Sequence, residues 1–301
     1  MNIIHTDAYR AAFGAYLRKG TPIRLSLKQA GLTDRCVWRT QRDARVRPAH
    51  RRNDGRIFSW ADAPDTGHSG EDYNCRCEAV PYIEGQTEFA FFDLKPPADL
   101  ATAGWDDADF VWHFYTGAGR GVTLAEIGHL SEIIEHYAYI DRGNGAFRRL
   151  ADQIAHRARL GNLPYPFESH YDFGSIQFSH GDSTVRGIFH GEMTDNGDML
   201  RIDGTAYFEF EDHFTDPMDL RTRPDRFRRL MRELARRMGM GNGPEGPELQ
   251  IDEDDVSALF MALSEVGGTA YPITDTWEAG FHAEVFKDPT RSQYRTQERA
   301  Q

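Results

Sequence analysis

Apolar and polar residues alternate along three stretches of the second half of the chain, 175–180, 184–193 and 199–210, with the turn formers Gly181-Asp182 and Asp195-Asn196-Gly197 between them. This period predicts an antiparallel meander. Helical spacing governs other segments. Leu124, Ile127, Leu130, Ile134 and Tyr137 fall on one stripe, and Phe147, Leu150, Ile154 and Ala158 on a second. Behind Pro224, a third stripe carries Phe227, Leu230, Met231, Leu234 and Met238, and a fourth carries Val256, Leu259, Phe260 and Leu263. Near the start, Thr6 caps a short helical pattern of Tyr9, Phe13, Tyr16 and Leu17 that ends at Gly20 and Pro22.

The aromatic run FVWHFY at 110–115 predicts a strand, followed by a glycine loop and a helix capped by Thr123 and Glu126. No G-K-[ST] follows the glycines, so the loop is a poor match to a phosphate cradle. Segments 269–273 and 281–286 predict two closing strands. The architecture implied is α+β: a small turn-rich N-terminal module followed by a curved antiparallel β-sheet domain packed with amphipathic helices. Its expected divisions are a module at 1–83 and a linker at 84–109 containing Lys95-Pro96-Pro97 and the acids Asp106, Asp107 and Asp109. An α+β domain then covers 110–288, and a polar tail 289–301.

Composition narrows the setting. The chain has 301 residues, 40% of them hydrophobic and 12% aromatic, enough to bury a core. It has no run of eighteen apolar residues and no signal-peptide layout at its start, so the expectation is synthesis in the cytoplasm. Three cysteines do not make a disulfide framework. The net charge of -12 is uneven: Lys and Arg number 14 against 9 acids in residues 1–82, and 21 against 38 in the remainder. The acidic remainder argues against nucleic acid as the main partner.

The most specific stretch is 37–82, VWRTQRDARVRPAHRRNDGRIFSWADAPDTGHSGEDYNCRCEAVPY. Trp38, Arg39, Thr40, Asp43, Arg45, Val46, Arg47, His50, Asp54, Gly55, Phe58, Pro64, Gly67, Asp72, Asn74, Cys75, Arg76 and Cys77 stand in the order of a W-R-T, D-x-R-V-R, H, D-G, F, P-x-x-G, D-x-N-C-R-C pattern. In this the stretch resembles the C-terminal end of the phage Mu F-like head morphogenesis (minor head protein) family, and the resemblance implies phage structural proteins as partners. Read as residues, Cys75 and Cys77 with His68, His50 or Cys36 offer thiolate and imidazole ligands for zinc, or else are packed thiols. The arginines of the pattern are expected to pair with Asp43, Asp54 and Asp72.

A second candidate site lies at 204–223, GTAYFEFEDHFTDPMDLRTR. Glu211, Asp212, His213, Asp216 and Asp219 follow an alternating strand and precede Arg221 and Arg223. Carboxylates at a strand exit suit a hard cation or a phosphoryl centre, and equally a solvated acidic turn. His129, His136 and His156 read as surface or boundary residues.

Together with 113–128, the 178–183 segment and the strands around 185–191 and 204–210, this region resembles the activity domain of colicin M-type, lipid II-degrading bacteriocins. Asp212 matches the first acid of that family's D-x-Y-D segment. Phe214 stands at its tyrosine, and Asp216 lies one position beyond its second acid. The resemblance implies magnesium-assisted phosphoester cleavage of a lipid-linked peptidoglycan precursor. Asp212 and Asp216 would hold the metal, Asp219 would assist, Arg221 or Arg223 would stabilise phosphate charge, and His213, His180 or His190 would act as base.

The expected function is therefore a phage-derived cell-envelope toxin or lytic effector, acting at the envelope or periplasm with an immunity protein as a further partner. The alternative is a non-enzymatic minor head or virion protein with a C-terminal interaction domain. Another hydrolase or nuclease toxin on the same scaffold is a third reading.

Overall fold

The longest alternating stretches of the sequence become the longest strands. In the computed structural model, β7 (Ser183–Asn196), β8 (Met199–Phe214) and β9 (Tyr271–Phe286) pair antiparallel along almost their whole lengths. The structure describes residues 33–43, 45–94, 104–139, 149–158, 161, 163–215, 224–237, 261–263, 265 and 267–292. The expected N-terminal helix at 6–17 and the helix stripe at 256–260 lie outside them.

Two sheets are formed. In the first, β1 (Arg35–Arg39) lies between β2 (Ile57–Ser59) and β3 (Glu78–Pro81). In the second the order is β4-β9-β8-β7-β6, with β4 at Phe89–Asp93 and β6 at Tyr165–Tyr171; the two-residue β5 (Val122–Thr123) runs parallel to β9. The helices are α1 (Pro48–Arg52), α2 (Asp107–Thr116), α3 (Leu130–Tyr139), α4 (Leu150–Ala158) and α5 (Pro224–Arg237). Along β8, Ile202, Ala206, Phe208, Phe210 and Phe214 enter the core that α2, α3 and α4 cover, while Glu209 and His213 face solvent. This is the one-sided alternation of an antiparallel sheet with a solvated back. Among the described residues, no helix is long and apolar enough to cross a membrane.

Several elements differ from expectation. FVWHFY is helix α2, not a strand. The Asp106 side chain accepts hydrogen bonds from the Ala108 and Asp109 backbone N–H, and the Asp109 side chain accepts from Asp106 N–H. A complete capping box thus nucleates a helix in residues of high strand propensity, buried through Phe110, Val111 and His113. The helix expected from Leu124 begins at Leu130, because Thr123 is committed to β5 and Gly128 adopts a left-handed φ of 74°. Leu124 and Ile127 are nevertheless fully buried in the intervening turn.

Segment 175–180 is a turn and a short 3-10 helix at Phe178–His180. The strand there is β6, whose alternation Pro164 and Pro166 disguise; Pro166 is tolerated because β6 is an edge strand. The expected linker contains β4, an outer strand of the large sheet, and the two closing strands are one continuous β9.

The small sheet is tied to the large one by a buried ionic knot. Asp54, Arg149 and Asp152 are 1–2% exposed or less, and Arg42 reaches in from the module. Every nitrogen of Arg149 is engaged: Nε donates to Asp152, one terminal nitrogen donates to the Asp54 carbonyl and lies 2.7 Å from the Asp54 carboxylate, and the other donates to Asp152 and the Ala90 carbonyl of β4. Arg42 bridges the two acids at 3.1 and 2.9 Å. Burial alone would raise the Asp152 carboxyl, but Arg149 and Arg42 outweigh it and hold it below the usual carboxylate range. Gly55, at φ 84°, lets the turn lie on β4: a Cβ there would stand 2.2 Å from the Ala90 carbonyl oxygen.

Removing one member of such a set strands the others. Arg149→Met is expected to cost about 3–5 kcal/mol, measured as a lowered urea midpoint of unfolding.

Candidate metal centre

Helix α1 begins with Pro48 at its first turn and buries a single residue, His50. The chain returns to this helix through a run of turns, and Cys75-Arg76-Cys77 then leads into β3. One residue between the cysteines puts both sulfurs on the same side of an extended segment. They meet His50: Nδ1 lies 3.4 Å from Cys75 Sγ and 3.6 Å from Cys77 Sγ. The three potential ligand atoms all lie within 4.8 Å of one another, the one such His/Cys/acid group among the described residues.

The surroundings fix this arrangement. His50 Nε2 lies 3.4 Å from the Asp72 carboxylate, and the edge of the ring meets Trp38 at 5.5 Å. Gly70 N–H donates to Cys75 Sγ at 3.3 Å. Asp72 pairs with Arg47, which also donates to the Tyr73 carbonyl at 2.6 Å, and Arg76 forks onto Asp43 at 2.6 and 2.8 Å. Burial, and then Arg47, push His50 down, which favours the neutral imidazole that ligates metals. Burial, then the neighbouring Cys75, push the Cys77 thiol up to about 12. Without a cation beside it the Cys77 sulfur is therefore kept as the neutral thiol.

His68, put forward as a ligand, is turned away: its Nε2 lies 3.1 Å from the Trp60 carbonyl oxygen and its ring packs on Trp60. His50 takes that place. Cys36 is buried in β1, opposite Phe58 and Pro81, and is outside the cluster. The pattern's arginines pair as expected with Asp43 and Asp72, whereas Asp54 is held by Arg42 and Arg149.

The second candidate site is arranged differently. β8 runs through Phe214, so Glu211, Asp212 and His213 belong to the strand and not to a turn. Asp212 is buried: its Oδ2 accepts from Ser183 Oγ at 2.9 Å and lies 3.2 Å from His180 Nδ1, and its Oδ1 accepts from His213 N–H. His180 Nε2 lies 2.9 Å from His129 Nδ1, and His129 Nε2 lies 2.9 Å from the Trp105 carbonyl. The contacts run in series from the Trp105 carbonyl through His129 and His180 to Asp212.

Asp212 is therefore committed inside the core rather than open to magnesium. His213 and His190 are exposed. Asp216, Asp219, Arg221 and Arg223 lie outside the described residues. His129 and His156, read as surface or boundary positions, are buried. No spacing links His129 with His180, 51 residues away, and only the folded sheet brings them together.

Comparison with known proteins reaches the N-terminal part. Residues 11–80 match the family described as Phage Mu protein F like protein. An uncharacterized protein of Haemophilus influenzae is 42% identical over 53 residues, 17% of this chain and 12% of that protein, so the chain spans about an eighth of that relative's length. No solved structure matches. The likeness of the C-terminal part to colicin M-type bacteriocins finds no support in these comparisons.

Burial, and then His180, push His129 down to about 4 from an unfolded value of 6.5. A histidine depressed in the fold contributes stability that is complete above its unfolded value and is lost as pH falls toward the folded one. Between pH 6.5 and 4 the protein is expected to lose on the order of 3 kcal/mol through this group. The check is the pH dependence of the urea midpoint, whose slope over that window should be shallower in His129→Gln.

Proposed function

We propose that this phage-type protein serves a head-associated structural role, with the Mu F-like module as its assembly element and the large sheet as an interaction domain. The observation that carries this reading is the family match over residues 11–80. The matched segment holds His50, Cys75 and most of the small sheet, and also Asp54, which anchors the segment to Arg149. An assembly element fixed in this way presents the domain behind it in a set orientation. The division into a module at 1–83 and an effector or interaction domain at 110–288 is part of the same proposal, and phage structural proteins are its partners.

The envelope-toxin reading requires an open pair of carboxylates for a cation. Asp212 does not supply one, because His180 and Ser183 occupy it. Lipid II cleavage, magnesium and an immunity protein then rest on the exposed His213 and on Asp216, Asp219, Arg221 and Arg223, which lie outside the described residues.

Mass spectrometry of purified particles tests the structural role. Peptides from both the 33–94 and the 163–292 segments are expected in the particles at the level of a minor component. Their absence from particles, with the chain recovered only from the soluble fraction, would contradict it. Release of the pyrophosphoryl sugar-peptide from lipid II with magnesium would restore the envelope reading.

A further inference from the structure

We propose that His50 Nδ1, Cys75 Sγ and Cys77 Sγ hold one zinc ion, with water in the fourth position on the side of the cleft that Arg45, Arg47 and Arg76 border. The geometry carries the assignment. A tetrahedral zinc with bonds of about 2.3 Å to sulfur and about 2.0–2.1 Å to nitrogen sets each sulfur about 3.5 Å from the nitrogen. The two sulfurs stand 3.4 and 3.6 Å from it.

One S–H donor satisfies the single lone pair of a neutral imidazole nitrogen, and here two sulfurs, themselves within hydrogen-bonding reach of one another, converge on the same atom. The other ring nitrogen faces Asp72, the carboxylate-behind-histidine arrangement that orients a ligating imidazole toward metal. Gly70 N–H, directed at Cys75 Sγ, suits a thiolate.

On binding, the two thiols release two protons to solvent, and the two thiolates balance the two charges of the ion. Soft sulfur donors with one imidazole select zinc over magnesium or calcium. The ion fastens the turn-rich segment 64–77, which has few apolar residues to bury, onto α1, while the water leaves one coordination position open.

The test uses the full chain. Purified from zinc-supplemented growth and desalted, it is expected to carry one zinc per chain by elemental mass spectrometry. Replacement by cobalt should give sulfur-to-cobalt charge-transfer absorption and a tetrahedral d–d envelope. Cys75→Ser and Cys77→Ser should each lose more than about 10-fold in zinc affinity, Asp72→Asn about 10–100-fold, and His68→Gln nothing. Three results would overturn the proposal: zinc content below about a tenth per chain with no charge-transfer band, an unchanged cobalt spectrum in Cys77→Ser, or an intact mass showing a Cys75–Cys77 disulfide. The cobalt spectrum of the unaltered chain decides the matter even where a variant fails to fold.

Discussion

Arg149 is the point at which the molecule is joined. Its guanidinium is buried, and its nitrogens are divided among an acid of the module, a strand carbonyl of the large sheet and an acid on α4. A cation taken out of water costs several kcal/mol unless its hydrogen bonds and charge are both answered. Here Asp54 and Asp152 answer it, and Arg42 balances the second negative charge. Every partner comes from a different element, so the set is satisfied in one arrangement of module, β4 and α4. Apolar contacts tolerate sliding; a fork of directed hydrogen bonds does not.

The cysteine-histidine cluster depends on the same fixed point. Eight residues, 48–55, carry His50 toward Cys75 and Cys77 and, one helical turn later, Asp54 toward Arg149. Gly55 closes the stretch against β4 where no side chain fits. Disturbing the knot shifts the helix that supplies the imidazole. The large sheet holds its own polar chain, His129-His180-Asp212-Ser183, in the core beneath Phe110 and Phe210. That chain fixes the 3-10 turn at Phe178–His180 and the start of α3 against β8, and it holds Asp212 inside the core.

The sequence showed most plainly what repeats within a short window. β7, β8 and the outlines of α3, α4 and α5 follow from period two and period 3.6, and the turn at Asn196-Gly197 follows from its dipeptide. α2 was hidden because aromatic residues favour strands, while the capping acids before them look like linker. β6 was hidden by Pro164 before it and Pro166 within it. At the candidate centre, Cys75 and Cys77 were visible as a pair. His50 and His68 were equally eligible from spacing and both are buried; position decides, because His50 on α1 faces the two sulfurs while His68 faces the Trp60 carbonyl. Arg149 and Asp54 lie 95 residues apart, and nothing local marks an arginine just before an amphipathic helix as internal.

The claim that the buried knot makes the module and the large sheet one cooperative unit is open to a direct measurement, native-state hydrogen exchange read by mass spectrometry across a urea series. If the knot joins them, amides of β1 (Arg35–Arg39) and of β8 (Met199–Phe214) lose protection together, with one opening free energy and one urea dependence. Loss of protection in β1 at lower urea, while β8 stays protected, would contradict it.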